Sequence, residues 1–472
     1  MKHRTSRLVR LLACGIVVIP GCGGGSSSYS DAMPPAPPLA AFAIRVNVSG
    51  LTGGGLKLLN KGADELLIGS NGATSFPTTV ANGASYAITA STDLTAPPQV
   101  CTLSRAGGVV AGADVNIDVE CRSGVHSAYV ANLTNAVTAD AGDVSQYTVA
   151  ADGSLAVMTP ATVPAGTGPS GVTVDPQGRF AYVANHIESS ISQYRIAADG
   201  SLSPTGAPAA VPDGGQPLGV TIDPSGRYAY VALGSSNSVA QYTVSADDGK
   251  LSPMTPATVD TGSNAFGISS SIAVDRSGRY AYVASAGDNV VSQFNIGSDG
   301  HLSLMTGPAV GTGVFPSSIA ISPSGQYAYV ANAISRDVSQ YTIAADGHLS
   351  PMNPSTTDPA PAGVLTLSVT IEPSGRYAYV ATLGPAGSQA EGIFPYSISA
   401  DGSLNPLPDA ATPTGFRPGG FAVDSSGQYA YVVKLEFDST ILQYVIAPDG
   451  GLLPMNPAAV PTGVNPSAIA VR

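Results

Sequence analysis

Gly226-Arg227-Tyr228-Ala229-Tyr230-Val231-Ala232 decides the fold, because close copies of this stretch recur along most of the chain. Its Tyr-Val pair occurs seven times, at intervals of 53, 48, 52, 47, 50 and 52 residues. The pairs begin at Tyr129, Tyr182, Tyr230, Tyr282, Tyr329, Tyr379 and Tyr431. A period of about fifty residues, built from short strands and Gly/Pro turns, is typical of a β-propeller with one sheet per repeat. The sequence therefore predicts an all-β protein with a seven-bladed β-propeller over residues 126–472.

A single repeat shows how one blade is built. Leu218–Ile222 predicts a first strand, and Asp223–Gly226 predicts a tight turn, because Pro suits the second position and Gly the left-handed end. Tyr228–Leu233, Val239–Val244 and Leu251–Val259 predict the remaining three strands. Large and small side chains alternate along the second strand, which fits a sheet covered on both faces by neighbouring blades.

The ends of the repeat region predict how the ring closes. No strand of the first type precedes Tyr129, whereas the chain finishes with Asn465–Val471, which resembles a first strand with nothing after it. We therefore expect the C-terminal strand to complete the blade that begins at residue 126, leaving no unpaired edge.

Residues 42–122 lack the repeat and predict a separate domain. Short alternating apolar segments there are separated by Gly-rich turns, which favours a small antiparallel, Ig-like β-sandwich. Its two cysteines, Cys101 and Cys121, are expected to form a disulfide, worth roughly 3 kcal/mol in the chain-entropy model.

Residues 1–21 have the pattern of a signal peptide. Four basic residues precede a short apolar run that ends at Ile19-Pro20-Gly21-Cys22, which resembles a bacterial lipobox with Cys22 as the lipidated residue. An ordinary secretory signal is the alternative. Residues 22–41 then predict a flexible tether. The expected location is the bacterial cell envelope, lipid-anchored at the outer membrane on its periplasmic or surface side.

Charge and composition exclude several functions. The formal net charge is −12, and removal of residues 1–21 takes it to −16, which argues against a nucleic-acid partner. The spacing of Cys and His predicts no metal site, and no motif predicts a cofactor. We expect a monomer whose partners are the membrane, through the lipid anchor, and an envelope protein or a small-molecule ligand.

The repeats resemble known families. Tyr-Val-Ala-Asn at 129–132, 182–185 and 329–332 resembles the YVTN β-propellers, and the combined repeat resembles the seven-bladed lactonase family, which includes 6-phosphogluconolactonase. The resemblance covers about three quarters of the chain. It implies a propeller fold strongly and lactone hydrolysis weakly, because the matching motifs are structural.

Residues that interrupt the repeat on one face are the functional candidates. His or Glu would act as a general base there, and Arg would hold a carboxylate or stabilise an oxyanion. The proposed catalytic residues are His186, Glu188, Arg336 and Arg417, and the proposed binding residues are Lys434, Glu436 and Asp438. The alternative is that these are solvated loop charges. The aspartates of the Ala-Asp-Gly turns, by contrast, are expected only to form turns.

Three functions remain open at this point, the third being a surface or envelope-assembly protein whose N-terminal sandwich binds the partner. The sequence favours a lipid-anchored, extracytoplasmic binding or scaffold module, and the alternative is a lactonase-like hydrolase of a ring ester. The sixth repeat departs most from the others, since Pro395 stands where the other repeats have Gln, and we expect a β-bulge there.

Overall fold

The computed structural model describes residues 40–472 apart from 53–55, 62–63, 92–98, 124, 134–140, 263–268, 358–363, 385–390, 408–411, 415–416 and 436–438. Its described residues are mainly β-strand, with one turn of 3-10 helix at Pro212–Gly214. None of that helical structure is long or apolar enough to span a membrane. The predicted signal peptide, Cys22, residues 22–39 of the tether and two binding candidates, Glu436 and Asp438, lie outside the described residues, whereas Ala41 at the end of the predicted tether belongs to β1 and pairs with Ala81.

Ten strands precede the repeats and form the small domain. They are β1 (Ala41–Phe42), β2 (Ile44–Ser49), β3 (Leu56–Asn60), β4 (Asp64–Ile68), β5 (Gly72–Ser75), β6 (Val80–Ala81), β7 (Ser85–Ser91), β8 (Gln99–Leu103), β9 (Gly107–Val109) and β10 (Val115–Ser123). One sheet has the order β5-β2-β10-β8 and the other β4-β3-β7-β9, while β1 pairs with β6. Both four-stranded sheets contribute to one hydrophobic core, with Ile44 and Ile117 from the first and Leu56 and Ile88 from the second.

The expectation of a purely antiparallel small domain was wrong. Strands β2 and β10 pair in parallel, with Ile44 opposite Val115 and Ser49 opposite Glu120. The chain between them passes through the second sheet, and this crossover lets β10 return in the same direction as β2. The expected disulfide is present: Cys101 and Cys121 lie directly opposite each other in β8 and β10, with an S–S distance of 2.04 Å.

The repeats form seven four-stranded antiparallel blades. Blade 1 contains β11 (His126–Asn132), β12 (Ala141–Val149), β13 (Leu155–Thr167) and β41 (Pro466–Val471). Blade 2 contains β14 (Pro169–Val174), β15 (Phe180–Asn185), β16 (Ser190–Ile196), β17 (Leu202–Pro204) and β18 (Ala209–Ala210). Blade 3 contains β19 (Pro217–Ile222), β20 (Tyr228–Leu233), β21 (Ser238–Val244) and β22 (Leu251–Asp260).

The remaining blades repeat this plan, with the fourth strand split in two in blades 4 and 6, as it is in blade 2. Blade 4 contains β23 (Ser269–Val274), β24 (Tyr280–Ser285), β25 (Val290–Ile296), β26 (Leu302–Leu304) and β27 (Val310–Gly311). Blade 5 contains β28 (Pro316–Ile321), β29 (Tyr327–Asn332), β30 (Asp337–Ile343) and β31 (Leu349–Thr357). Blade 6 contains β32 (Leu365–Ile371), β33 (Tyr377–Leu383), β34 (Gly392–Ile398), β35 (Leu404–Pro406) and β36 (Thr412–Pro413), and blade 7 contains β37 (Pro418–Val423), β38 (Tyr429–Lys434), β39 (Thr440–Ile446) and β40 (Leu452–Pro461).

The last strand of the chain closes the ring. Strand β41 pairs antiparallel with β11, with Ala128 opposite Val471 and Val130 opposite Ile469. It packs between β37 of blade 7 and β14 of blade 2, which are the first strands of their blades. Strand β41 therefore takes the place of the first, innermost strand in blade 1. First strands of neighbouring blades thus contact one another around the central channel.

Buried tyrosines join each blade to the next. In every Tyr-Val pair the tyrosine hydroxyl donates to the glycine carbonyl of the Asp-Gly turn in the following blade, at 2.6 to 3.1 Å. The seven bonds run from Tyr129 to Gly200, Tyr182 to Gly249, Tyr230 to Gly300, Tyr282 to Gly347, Tyr329 to Gly402, Tyr379 to Gly450 and Tyr431 to Gly153. The last bond joins blade 7 to blade 1, so the seven tyrosine hydrogen bonds form a closed circle around the propeller.

Glutamines of the third strands add a second link between blades, and blade 6 lacks it. Gln340 of blade 5, for example, accepts from the Leu404 N–H of blade 6 at 2.8 Å. Pro395 replaces this glutamine in blade 6 and offers no side-chain acceptor to Leu452 of blade 7. The bulge expected at Pro395 is absent from the β33–β34 pairing, because the ladder runs without a register shift and the Pro395 carbonyl still accepts from Leu407 at 3.0 Å.

Candidate functional site

The antiparallel blades divide their connections between two faces of the propeller. The turn face carries the turns between first and second strands and between third and fourth strands. The loop face carries the loops between second and third strands and the connections from one blade to the next. All the catalytic and binding candidates within the described residues lie on the loop face.

On the turn face, carboxylates are occupied by their own turns. Asp223 accepts hydrogen bonds from the N–H groups of Arg227 and Tyr228 through Oδ1, both at 2.8 Å, and from Ser225 through Oδ2. The aspartates of the Ala-Asp-Gly turns each accept from the N–H two residues later, as expected for turn formers; they are Asp152, Asp199, Asp299, Asp346, Asp401 and Asp449. These carboxylates therefore stabilise the turns between strands.

The small domain covers the turn face at the channel. A cavity of about 320 Å³ lies there, lined by Thr89 and Cys101 of the small domain and by the turns of blades 2, 4, 6 and 7, with Arg472 at the chain end. Gly107 of the small domain lies so close to blade 5 that a Cβ atom on it would be 1.7 Å from the carbonyl oxygen of Pro323. A ligand that approaches the channel from solvent therefore meets the small domain on this side, which leaves the loop face as the accessible one.

Asparagine side chains brace the loop face in three blades. Asn185, the last residue of the second strand in blade 2, donates to Ser190 and Ser192, both at 2.9 Å, and accepts from the Gly166 N–H of the preceding blade connection at 3.2 Å. Asn132 and Asn332 make the equivalent bonds to serines in blades 1 and 5. The Asn of the Tyr-Val-Ala-Asn motif is therefore a structural residue that fixes the surrounding loops.

His186 and Glu188 lie together in the loop after β15 of blade 2. The His186 N–H donates to the Gly168 carbonyl at 2.8 Å, next to the start of the innermost strand, and its Nδ1 is buried without a hydrogen-bond partner among the described residues. Burial lowers the pKa of His186 from its ordinary value, which favours the neutral imidazole. Glu188 is already engaged, since its Oε2 accepts from the Thr167 N–H at 2.8 Å.

Arg417 and Lys434 lie side by side in blade 7. Arg417 directly precedes the innermost strand β37, is exposed, and its guanidinium group forms no ion pair or hydrogen bond with a described residue. Lys434 ends β38 opposite Pro418, and the next residue, Leu435, donates its N–H to the Arg417 carbonyl at 3.0 Å. The structure thus places two cationic side chains at one edge of the channel.

Arg336 lies apart from the other candidates. It follows β29 in blade 5, is exposed and has a positive φ of 63°. Blade 6 separates it from Arg417, and blades 3 and 4 separate it from His186. Blades 7, 1 and 2, by contrast, are consecutive, so His186, Arg417 and Lys434 share one arc of the loop face.

Sequence reasoning missed Asp143, which lies in blade 1 in the middle of this arc. Its position at the start of β12, opposite Asn132, places it at the loop face. Burial raises the pKa of Asp143, although the hydrogen bond that it accepts from Asn132 at 2.6 Å works in the opposite direction. The available signal was an acidic residue at a place where blade 2 has Ser190 and blade 3 has Ser238, although blade 5 has Asp337 there, which accepts from Asn332 at 2.7 Å.

The arc therefore combines titratable and cationic groups. Asp143 and His186 have pKa values that move in opposite directions, and Arg417 lies on the other side of blade 1. Such a set suits acid–base chemistry next to a developing negative charge. Among the described residues, no three His, Cys, Asp or Glu side chains are grouped so that they could hold a metal ion.

A comparison with family models gives a clear match. The model described as Lactonase, 7-bladed beta-propeller matches residues 126–265 and 220–366, which together span just over half of the chain. No curated protein sequence matches the chain.

Solved structures with the same fold come from several bacteria. A 6-phosphogluconolactonase-like protein of Bacteroides uniformis is 18% identical with a TM-score of 0.61, and the alignment covers 74% of this chain and 99% of that one. A periplasmic gluconolactonase of Pseudomonas aeruginosa is 21% identical with a TM-score of 0.59, at the same two coverages. A 6-phosphogluconolactonase-like protein of Bacteroides fragilis is 17% identical with a TM-score of 0.60, covering 74% of this chain and 98% of that one. At these identities the likeness shows the propeller fold.

Proposed function

Because the chain belongs to the seven-bladed β-propeller lactonase family, we propose that it hydrolyses a lactone at the loop face of the propeller. The family match is the observation that carries the proposal. It favours the hydrolase over the binding or scaffold module that the sequence alone put first, for which neither the site nor the comparisons offer support. A sugar lactone is the substrate class that we propose, since similar folds include a gluconolactonase.

The arc formed by blades 7, 1 and 2 supports a hydrolytic mechanism. Neutral His186 would take a proton from water as the water oxygen bonds to the lactone carbonyl carbon. Arg417 would stabilise the negative charge that develops on the carbonyl oxygen. Collapse of the tetrahedral intermediate breaks the ring C–O bond, and Asp143, whose raised pKa favours the acid form, would donate a proton to the leaving alkoxide. The product is a hydroxy acid, whose carboxylate would be attracted by Arg417 and Lys434.

The other candidates take supporting roles in this proposal. Glu188 would hold the loop that carries His186, through its bond to Thr167. Arg336, in blade 5, would contact only a substrate that extends across the channel. The binding roles of Glu436 and Asp438 follow from their sequence position after β38 alone.

We also propose that the protein works outside the cytoplasm, held at the outer membrane through a lipid on Cys22. The disulfide between Cys101 and Cys121 supports an oxidising compartment. The small domain, with two sheets around one core, is proposed to be an Ig-like sandwich that includes one parallel pair.

Acid release from a panel of sugar lactones, measured with purified full-length protein in a pH-stat, tests the proposal. We expect turnover above the spontaneous rate, and a loss of roughly 10²-fold or more in kcat for His186→Gln and Arg417→Ala. His301→Gln is the matched control, because His301 lies on the turn face and pairs with Asp299 at 3.1 Å. Absence of turnover on every lactone, together with recovery of a stable envelope partner in a pull-down, would return the scaffold function to first place.

A further inference from the structure

A single residue interrupts the turn face of blade 4. The turn between first and second strands has proline at its second position in four blades, at Pro176, Pro224, Pro323 and Pro373. Blade 4 has Arg276 instead. Proline suits this position because its fixed φ matches the turn, so the turn itself gives no reason for arginine.

Arg276 lies in the junction between the small domain and the propeller. It borders a cavity of about 560 Å³, whose walls come from the small domain and from blades 4 and 5. This volume is within the range of small-molecule sites. The close contact of Gly107 with Pro323 fixes the small domain over these blades, so the cavity is a built feature of the junction.

The cavity gathers positive charge. Arg105 of the small domain and Arg279 of blade 4 line it together with Arg276, which makes three of the 20 lysines and arginines in a chain of net charge −12. The one acidic residue in its walls, Asp275, is occupied by its own turn, since it accepts from the N–H groups of Arg279 and Tyr280, both at 2.8 Å. Three arginines and one carboxylate leave the walls of the cavity with a net positive charge.

Two polar groups in this cavity lack partners among the described residues. The Arg276 guanidinium forms no ion pair or hydrogen bond with any of them, although burial is strong enough to lower its pKa. The ring of Tyr86 is buried, and its hydroxyl faces the cavity without a hydrogen bond to a described residue. Arg276 is partly buried, and a cation in such a place that forms no ion pair is stabilised when an anion enters beside it.

We propose that this junction cavity is a second binding site, for a small organic molecule that carries carboxylate or phosphate groups. Arg276 is the central contact, because a guanidinium group binds the two oxygens of an oxyanion side by side. Arg105 and Arg279 flank it, and the Tyr86 hydroxyl donates a further hydrogen bond. The bound anion would link the small domain to the propeller, on the face opposite the proposed hydrolytic site.

Titration calorimetry of the full-length protein with citrate and with inorganic phosphate tests this site at constant ionic strength. We expect saturable binding of at least one probe, and the stronger one tells whether carboxylate or phosphate chemistry is preferred. Arg276→Pro gives this turn the proline of blades 2, 3, 5 and 6 while it removes the guanidinium, so it should fold and should weaken binding by about tenfold or more. Tyr86→Phe should weaken binding by about threefold.

Arg227→Ala is the matched control. Arg227 follows the turn glycine in blade 3 as Arg279 does in blade 4, and each guanidinium lies 5.0 Å from the ring centroid of the tyrosine after it, but Arg227 is outside the cavity. Its variant should bind like the wild type, whereas Arg279→Ala should bind more weakly. If Arg276→Pro unfolds, Arg279→Ala and Tyr86→Phe carry the test. Absence of saturable binding to the wild type, or equal affinity in all four variants, would overturn the proposal.

Discussion

The two faces of the propeller use the same kinds of residues in different ways. On the turn face, aspartates such as Asp223 and Asp152 recur with the repeat, and each is bonded to the backbone of its own turn. On the loop face, Asp143 and Asp337 are the one acidic pair at equivalent positions that each accept from the asparagine of a Tyr-Val-Ala-Asn motif, whereas Arg417 stands alone and has no side-chain partner among the described residues. The comparison teaches that the repeated aspartates of the turn face stabilise the blades, whereas an unrepeated and unpaired charge such as Arg417 is available for a ligand.

Removal of residues 464–472 would have the largest effect on this arrangement. The deletion takes away β41, exposes the edge of β11 and removes the contacts of Arg472, so we expect loss of cooperative folding or a fall in Tm of more than about 10 °C. Both faces would be lost together. Thermal unfolding followed by circular dichroism measures it, with deletion of Arg472 alone as the milder control. A truncated protein that melts like the full chain would disprove closure by the last strand.

The pH profile of hydrolysis tests the loop face. Burial lowers the pKa of His186, so its imidazole stays neutral, and active as a base, below pH 6.5. The hydrolysis rate should therefore stay constant as the pH falls from 7 through 6.5, and should decline only below the lowered pKa of His186. His186→Gln should remove this acidic limb without a change in melting temperature. An acidic limb centred at or above pH 6.5 would exclude His186 as the base.

Asp223→Ala tests the turn face. Asp223 is buried and accepts hydrogen bonds from three N–H groups and one hydroxyl, so its loss should lower the free energy of unfolding by roughly 2–4 kcal/mol and leave hydrolysis unchanged. Asp223→Ser is the natural control, because blade 5 has Ser322 at this place, where its hydroxyl accepts from the Tyr327 N–H at 3.1 Å. Urea unfolding measures the stability of both variants. If Asp223→Ala loses hydrolytic activity as well as stability, the functional separation of the two faces is wrong.

The tyrosine hydrogen bonds between blades give a smaller effect, which tests whether they stabilise the propeller. Tyr230→Phe leaves the Gly300 carbonyl without its buried donor and should cost about 1–2 kcal/mol. Tyr228→Phe, two residues earlier, removes only an exposed bond of 3.4 Å to Ser298 and should cost less than about 0.5 kcal/mol. If chemical denaturation shows the same loss of unfolding free energy in both variants, the hydrogen bond from Tyr230 to Gly300 does not stabilise the contact between blades 3 and 4.

Substitution of Pro395 in blade 6 should have the smallest effect on stability. Pro395→Gln would supply the missing acceptor for Leu452 and raise the free energy of unfolding by about 1 kcal/mol at most, because loss of proline also makes the unfolded chain more flexible. The converse change, Gln340→Leu, removes an existing bond to Leu404 and should cost about 1–3 kcal/mol. Destabilisation by Pro395→Gln would show that blade 6 is adapted to its proline.

Much of the propeller could be predicted because its information is local and repeated. The Tyr-Ala-Tyr-Val alternation predicted the second strands, and the disulfide followed from cysteine count. The parallel β2–β10 pair could not be predicted, since pairing direction depends on a crossover through another sheet. Asp143 and Arg276 were missed for a related reason: each is ordinary in its own segment and becomes notable only against the other blades or the small domain.

The pairing of β41 with β11 also sets the order of events when the chain is made. The first blade waits for its inner strand until Pro466–Val471 have been made, so an earlier product has an open sheet edge that proteases and other chains can recognise. A chain cut short anywhere after the first blade fails in the same way. Pairing of β11 with β41 therefore separates chains that contain Pro466–Val471 from those that lack it, because only the former can close the ring.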